Sequence, residues 1–484
     1  MTPSLLHPPV TSGTWTPVAA AATFAGTNPL LLPDGTVMLQ DAGTANWWKL
    51  TPDNTGSYIN GTFTQLASTG TYAPTYYAEA VLPDGRVIVE GGEYLSNTQV
   101  DTTQGQIYNP ATNTWATVTP PAGWGTIGDA SGVVLANGTF LLSSCCDASG
   151  PQALLNPTTL AWTSTGTGKA DFNDEEGWTL LPDGKLLTVD ANNTTKPLNW
   201  ETYDPSTGAW TSNGNVPVAL VDANSHEIGP AILRPDGTVL ATGATGHNAI
   251  FNSSTMTWTA GPDFPASNDI ADGAGALLPD GNVLVAVSPG VFQTGTTFYE
   301  WDGAAFTAVA APANAAADSS YQINLLVLPT GQILETDQAS DVQIYTPAGS
   351  PDPSWSPVIT AIPVEVSASN PNPPTTPANA VPLVTLHRGR TYQVWADRLN
   401  GLSQGAYYGD DTQAATNFPI VRITNATTGH VGFARSHHNS TYAIGPSVSG
   451  TTKFDVPTTL ETGTATMSLV TNGIASPAIT VEID

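Results

Sequence analysis

The stretch EAVLPDGRVIVEGGE, residues 79–93, reads as an apolar strand, a tight turn and a second apolar strand. Related copies recur along the chain: PLLLPDGTVML, GVVLANGTFLLSS, WTLLPDGKLLTVD, PAILRPDGTVLATGA, GALLPDGNVLVAV and LLVLPTGQILETD. Their turn glycines are Gly35, Gly85, Gly138, Gly184, Gly237, Gly281 and Gly331, spaced 44 to 53 residues apart. Six of the seven turns carry Asp-Gly or Asn-Gly, which supply the positive φ values that two-residue hairpin turns require. Between hairpins recurs IYNPATNTW (107–115), also as LLNPTTLAW, TYDPSTGAW and IFNSSTMTW, a third strand, a turn and a fourth strand ending in an aromatic residue. Four strands per repeat at a period of roughly fifty predict propeller blades of kelch type, and seven hairpins predict seven blades. The fourth-strand aromatic occurs eight times, at Trp15, Phe63, Trp115, Trp162, Trp210, Trp258, Phe306 and Trp355, so one is surplus. Either GTWTPVA near the start or PSWSPVI later closes the last blade.

Working outward, the repeat occupies residues 1–357 and then stops. A Pro/Asn/Thr-rich linker, SASNPNPPTTPANAVP, leads into segments alternating with period two, so residues 358–484 are expected to form a β-sandwich of immunoglobulin-like type. The fold expected is therefore all-β, a seven-bladed propeller followed by that domain. The 484 residues hold 12 basic and 40 acidic side chains, a net charge of −28, which repels phosphate backbones and anionic lipid and argues against nucleic acid as a partner. No apolar run is long enough to insert in a membrane, and MTPSLLHPPV lacks the basic start and apolar middle of a signal peptide. The two cysteines, Cys145 and Cys146, are neighbours and form either a strained vicinal disulfide or two buried thiols.

Kelch blades followed by an immunoglobulin-like domain resemble galactose oxidase and its relatives. The chain is also similar to a set of bacterial kelch-repeat proteins of unassigned function, on the stretches NDEEGWTLLP, SHEIGPAILRPDGTVLATGATGH and GLSQGAYYGDDTQAATNFPIVRITN. The resemblance implies that Tyr76 matches the tyrosine cross-linked to cysteine in the copper-radical enzymes, and Tyr321 the axial tyrosine. It places Gln322 where those enzymes have a histidine and Gly26 where they have the cysteine; their remaining histidine matches His437 or His438 in RSHHNS. No Tyr-Cys cofactor can form, so the resemblance argues for the scaffold and against the oxidase reaction.

Counting back nine or ten residues from each turn glycine reaches the start of each innermost strand. Those positions hold Gly26, Tyr76, Asp129, Glu175, Glu227, Asp272 and Tyr321, four of seven being carboxylates in a chain with only 11% charged residues. Solvated acids around a wet channel are one reading. A second is that Asp129, Glu175, Glu227 and Asp272 converge on a divalent cation, Ca²⁺ on oxygen ligands alone, or Zn²⁺ or Cu²⁺ if His226 or His437 joins. A third is a metal-free acid and base, Glu175 with Glu227, acting on a glycosidic or ester bond. Asp410 and Asp411 read as a solvated acidic loop, and Trp47 and Trp48 as packing between blades.

These readings give a monomeric, secreted or cell-surface protein directed at carbohydrate or another small polar ligand. Its acidic, cation-binding pocket carries hydrolase or lyase chemistry, with Asp129, Glu175, Glu227, Asp272, Tyr76 and Tyr321 as catalytic candidates and His437 as a further metal ligand. The alternatives are a non-catalytic glycan-binding or adhesion module and a degenerate copper oxidase.

Overall fold

The computed structural model describes residues 13–373 and 383–484. MTPSLLHPPV and the second half of the linker, residues 374–382, lie outside the described residues.

Among the described residues each repeated hairpin forms the inner half of an antiparallel sheet, four-stranded in six copies and five-stranded in the remaining one. Their first strands are Gly26–Leu31, Ala78–Val81, Gly132–Val134, Thr179–Leu180, Ala231–Leu233, Gly275–Leu277 and Asn324–Val327. Neighbouring first strands, those of the third and fourth sheets apart, lie against one another, and the seventh returns to the first, the arrangement of a β-propeller. The surplus aromatic strand is resolved by pairing. Thr14–Pro17 adds to Gln343–Thr346 as the outer strand of the seventh sheet, whereas Trp355 lies in a 3₁₀ turn, Pro353–Trp355.

The turns differ from the expected two-residue type. Gly85 N–H donates to the Leu82 carbonyl at 2.8 Å, and Leu82 and Arg86 form the closing pair, so Pro83, Asp84 and Gly85 make a three-residue loop. Proline fixes φ near −65°, which suits a type I turn and excludes the positive φ a type I′ turn needs at that position. The left-handed residue is the glycine that follows, with φ of 77° to 87° in all seven copies. The aspartate contributes differently. Its Oδ1 accepts the backbone N–H two residues on, as Asp84 does from Arg86 at 3.1 Å and Asp236 from Thr238 at 2.9 Å.

Outer strands are fastened by one repeated aromatic contact. Trp115 on Tyr108, Trp210 on Tyr203, Trp258 on Phe251 and Trp15 on Tyr345 have ring centroids 4.8 to 5.4 Å apart at 45° to 47°. Each pair contributes about 0.5–1.5 kcal/mol beyond its buried area. Trp47 is fully buried and tilts onto Trp115, so it packs between sheets.

The C-terminal part is one nearly closed sheet. Strand Val431–His437 pairs with Ile420–Asn425 through its first half and with Ser449–Asp455 through its last three residues, joining the two faces around Val394, Val421, Phe454, Met467 and Ile483. This part is not confined to its own side of the boundary at residue 358. Ala406–Tyr407 pairs with Gly275–Leu277 as a fifth strand of the sixth propeller sheet.

Glu90 is fully buried in the second sheet, with both carboxyl oxygens unpartnered. Burial raises its pKa well above the ordinary value. An acid whose native pKa exceeds its unfolded value lets the unfolded chain ionise first. Its stabilising effect is complete below about pH 4.3 and is lost as pH rises towards the native pKa, at about 1.4 kcal/mol per pH unit. Glu90→Gln is expected to remove that slope, raising the melting temperature at about pH 8 relative to pH 5. An unchanged slope in thermal unfolding would contradict it.

Candidate functional site

The inner strands begin with a kink. Tyr76, Glu175 and Asp272 have φ of 52°, 61° and 51°, and in the third and fifth sheets the left-handed residue is the one before the acid, Gly128 at 65° and His226 at 67°. Non-glycine residues held there cost about 1–3 kcal/mol each, and such strain concentrates where a side chain must be aimed. Here it aims them at one cavity of about 450 Å³. Tyr76, Asp129, Glu175, Glu227, Asp272 and Tyr321 line it, with Glu93, Tyr94 and Phe292. Gly26 does not reach it and faces Thr336 and Val342 between the first and seventh sheets.

Two further acids arrive from the C-terminal part. Residues 401–420, apart from Ala415, are all buried, so the acidic loop expected in solvent is instead a finger in the propeller. Gln404 Oε1 accepts from Leu180 N at 2.7 Å, Ser403 Oγ donates to the Leu233 carbonyl at 2.7 Å, and Tyr408 OH donates to the Tyr321 carbonyl at 2.5 Å. Thr412 Oγ1 accepts from Asn28 Nδ2 at 3.1 Å. Four propeller sheets thus hold the finger, and its tip carries Asp410 and Asp411, each 1% exposed.

The six carboxyls fall into two groups. In Glu175, Glu227 and Asp272 one oxygen of each lies within 4.8 Å of the others, and the same holds for Asp129, Asp410 and Asp411. Carboxyl oxygens this close repel one another when all are ionised, so the arrangement favours a shared proton or a bound cation. Burial first, and then the neighbouring carboxylates, raises Asp129, Glu175, Asp272 and Asp410 well above the usual range. The same causes push Glu227 up to about 10, and burial takes Asp411 to about 6. Among the described residues, none of the six forms an ion pair with lysine, arginine or histidine.

His437 lies elsewhere. Its Nδ1 meets His438 Nδ1 at 2.5 Å and its Nε2 meets Asp455 at 3.2 Å, on the strand that joins the two faces of the C-terminal sheet. His226 is also turned away, its Nδ1 3.2 Å from the Ala191 carbonyl. Cys145 and Cys146 are joined to each other, which decides between the two cysteine readings; Cys145 packs on Gly128, directly behind Asp129. The lining of the cavity therefore includes three tyrosines, Tyr76, Tyr94 and Tyr321, but neither a histidine nor a free thiol. These residues do not fit a copper-radical centre; they offer oxygen donors only.

The run Asp174, Glu175, Glu176 divides its three acids. Glu175 faces the cavity. Glu176 is fully buried the other way and accepts from Lys169 Nζ at 2.9 Å. The Asp174 carboxylate is partly exposed beside Cys146, at 3.9 Å from its Sγ.

Sequence reasoning did not place Asp410, Asp411, Glu93, Tyr94 or Phe292 here. One signal was available for the finger: residues 399–421 contain no lysine or arginine and are rich in Gly, Ala, Ser and Thr. So long a segment is uncommon as a bare surface loop.

No protein-family model matches the chain, and no curated protein matches it. Among solved structures it is similar to a fungal alcohol oxidase of the AA5 family, determined in complex with copper. The TM-score is 0.51, with 11% identity over 98% of this chain and 99% of that one. The extracellular domain ascribed to a hybrid two-component system of B. thetaiotaomicron matches with a TM-score of 0.47 and 11% identity, over 98% of this chain and 60% of that one. The likeness to the oxidase is one of fold alone. It carries no chemistry with it.

Proposed function

We infer that this is an extracellular, carbohydrate-directed protein whose axial carboxylates hold a hard divalent cation, Ca²⁺ before Mg²⁺ or Mn²⁺, with hydrolase or lyase chemistry. The chain is read as a seven-bladed kelch-type propeller over residues 1–357 with an immunoglobulin-like domain over 358–484, acting as a monomer. The observation that carries the functional reading is Glu227. It is 6% exposed, its Oε2 has no partner, and it stands between two other carboxyls on the wall of a 450 Å³ cavity. Three carboxyls, Glu227 buried and Glu175 and Asp272 half-buried, with oxygens within 4.8 Å of one another repel once ionised, and a cation turns that repulsion into binding. Oxygen-only donors favour hard cations over Zn²⁺ or Cu²⁺.

A divalent cation held by Glu175, Glu227 and Asp272 would bind ligand hydroxyls and polarise the bond next to them. The chain's own residues supply the rest. Tyr94 and the 45% exposed Phe292 offer ring faces to a sugar, and Tyr76 and Tyr321 offer hydroxyls beside it. A net charge of −28 favours neutral, polyhydroxylated ligands over anionic ones. The metal-free acid–base pair is less favoured. One oxygen of Glu175 and one of Glu227 lie within 4.8 Å of each other, whereas glycosidase carboxyls stand roughly 5–9.5 Å apart, with the scissile bond between them.

The same contact also suits a structural cation in a non-catalytic glycan-binding module. Calorimetric titration with Ca²⁺, followed by glycan binding and turnover assays, separates the two. Glu175→Gln and Glu227→Gln are expected to lower turnover by at least about 100-fold while glycan binding survives. Binding without turnover in the wild type leaves the module. Metal-free protein whose melting is unchanged by chelator and by Ca²⁺ overturns both.

A further inference from the structure

We propose that the finger completes a second hard-cation site, formed by Asp129 from the propeller and Asp410 and Asp411 from the C-terminal part, beside the site of Glu175, Glu227 and Asp272. The inference rests on the cation reading of the first site and extends it to a two-cation centre. It starts from the division of the carboxyls: each triad gathers three oxygens within 4.8 Å of one another, and the six do not merge into one group.

The second triad carries its own mark of a missing ligand. Both carboxyl oxygens of Asp410 lack a hydrogen-bond partner, as do Oδ1 of Asp411 and Oδ1 of Asp129. Asp410 is 1% exposed, so water outside the protein does not satisfy it. Leaving a buried polar group unpaired costs about 1–3 kcal/mol, more for a charged one, and most buried polar groups in native proteins are paired. The surroundings are otherwise well bonded. The Asp410 carbonyl accepts from Gln413 Nε2 at 3.0 Å, and Asp411 Oδ2 accepts from Thr412 Oγ1 at 3.2 Å, which in turn accepts from Asn28. The peptide at the tip is fixed by its neighbours while the carboxyl oxygens beside it are left open.

Charge points the same way. Six carboxyls without a protein cation are far from balance; two divalent ions neutralise four charges, and two protons or ligand contacts account for the remainder. Asp129 and Asp410 come from segments 281 residues apart in sequence. A cation between them would therefore also tie the C-terminal part to the propeller axis.

The test is metal stoichiometry on the full chain. Protein stripped with chelator and titrated with Mn²⁺, then with Ca²⁺, is expected to bind two equivalents by elemental analysis and calorimetry. Asp410→Asn/Asp411→Asn is expected to bind one, and Glu227→Gln/Asp272→Asn also one. Asp129→Asn, on a different segment, should repeat the loss of one equivalent, and it decides the matter if the finger variant does not fold. One equivalent in the wild type overturns the second site and leaves the first. Two equivalents that persist in both Asp410→Asn/Asp411→Asn and Asp129→Asn place the second ion elsewhere and overturn it as well. None in the wild type removes both readings.

Discussion

Lys169→Met is expected to destabilise the protein by about 3–5 kcal/mol, the loss typical when one partner of a buried ion cluster is removed. Lys169 is 4% exposed in its side chain and its Nζ lies 2.5 Å from Asp171, 2.9 Å from Glu176, 2.9 Å from Glu201 and 3.7 Å from Asp190. The three glutamate and aspartate partners other than Asp171 are fully buried in their side chains, and the ammonium also stands 5.5 Å from the Trp210 ring centroid. A single positive charge thus serves four carboxyls. Its own pKa is held well above the usual value by Glu176 first and then the others, against the opposing effect of burial, so it stays charged at any pH the protein meets.

Without it the four acids face one another in a site closed to solvent, and several must bind protons for the fold to persist. Glu176 lies three residues before Thr179–Leu180, the first strand of the fourth sheet, and directly follows Glu175, so the same variant is expected to loosen the cavity wall. Thermal and urea unfolding of Lys169→Met against wild type measure the effect. The double variant Lys169→Met/Glu176→Gln should recover part of the loss, because it removes one of the stranded charges. A single-variant loss under about 1 kcal/mol would mean that the ammonium is not what balances the cluster.

Why this cluster escaped the sequence is instructive beside what did not. The hairpins were legible because each is local: the strands, the turn and the inner-strand start all fall within fifteen residues, and seven copies average out the noise. The position nine or ten residues before the turn glycine was legible for the same reason, and six of seven such residues meet in one cavity. Even locally, the turn chemistry was misjudged. Asp-Gly suggests a two-residue turn, but the proline before it forces a type I turn followed by a left-handed glycine.

Everything that depends on distant segments was lost. Asp410 reads like any acidic loop residue, because what seats its segment is Leu180, Leu233, Gly275 and Tyr321 of the propeller, through Gln404, Ser403, Tyr407 and Tyr408. His437, nominated by resemblance, is where a C-terminal histidine would be sought in sequence order. The segment that actually enters the axis is an earlier one and brings aspartates. The Lys169 cluster failed for a third reason: whether Glu176 finds solvent or a lysine depends on Glu201, within the strand Asn199–Asp204, and on Asp190, just after the strand Leu186–Val189.

Gly177→Ala is the second change with a large expected effect, because it tests whether the finger is seated as a rigid part. A Cβ on Gly177 would overlap the carbonyl oxygen of Gly409, the residue before Asp410. Both partners are main chain, so no side-chain rotation relieves the clash. Gly409 has no room to retreat either, since a Cβ there would strike the Asp272 carboxyl and the Ile228 carbonyl. Overpacking of this kind costs about 1–3 kcal/mol, occasionally more. The displacement falls on the peptide that carries Asp410, so the variant is expected to melt lower and to lose divalent-cation affinity by at least tenfold. Gly125→Ala is the matching control: nothing lies within 4 Å of a Cβ there, and its melting and binding should equal wild type. If Gly177→Ala matched that control in both measurements, the finger would not rest against the fourth sheet. If stability alone fell, the clash would be real but relieved on the propeller side, and the tip carboxyls would keep their place at the axis.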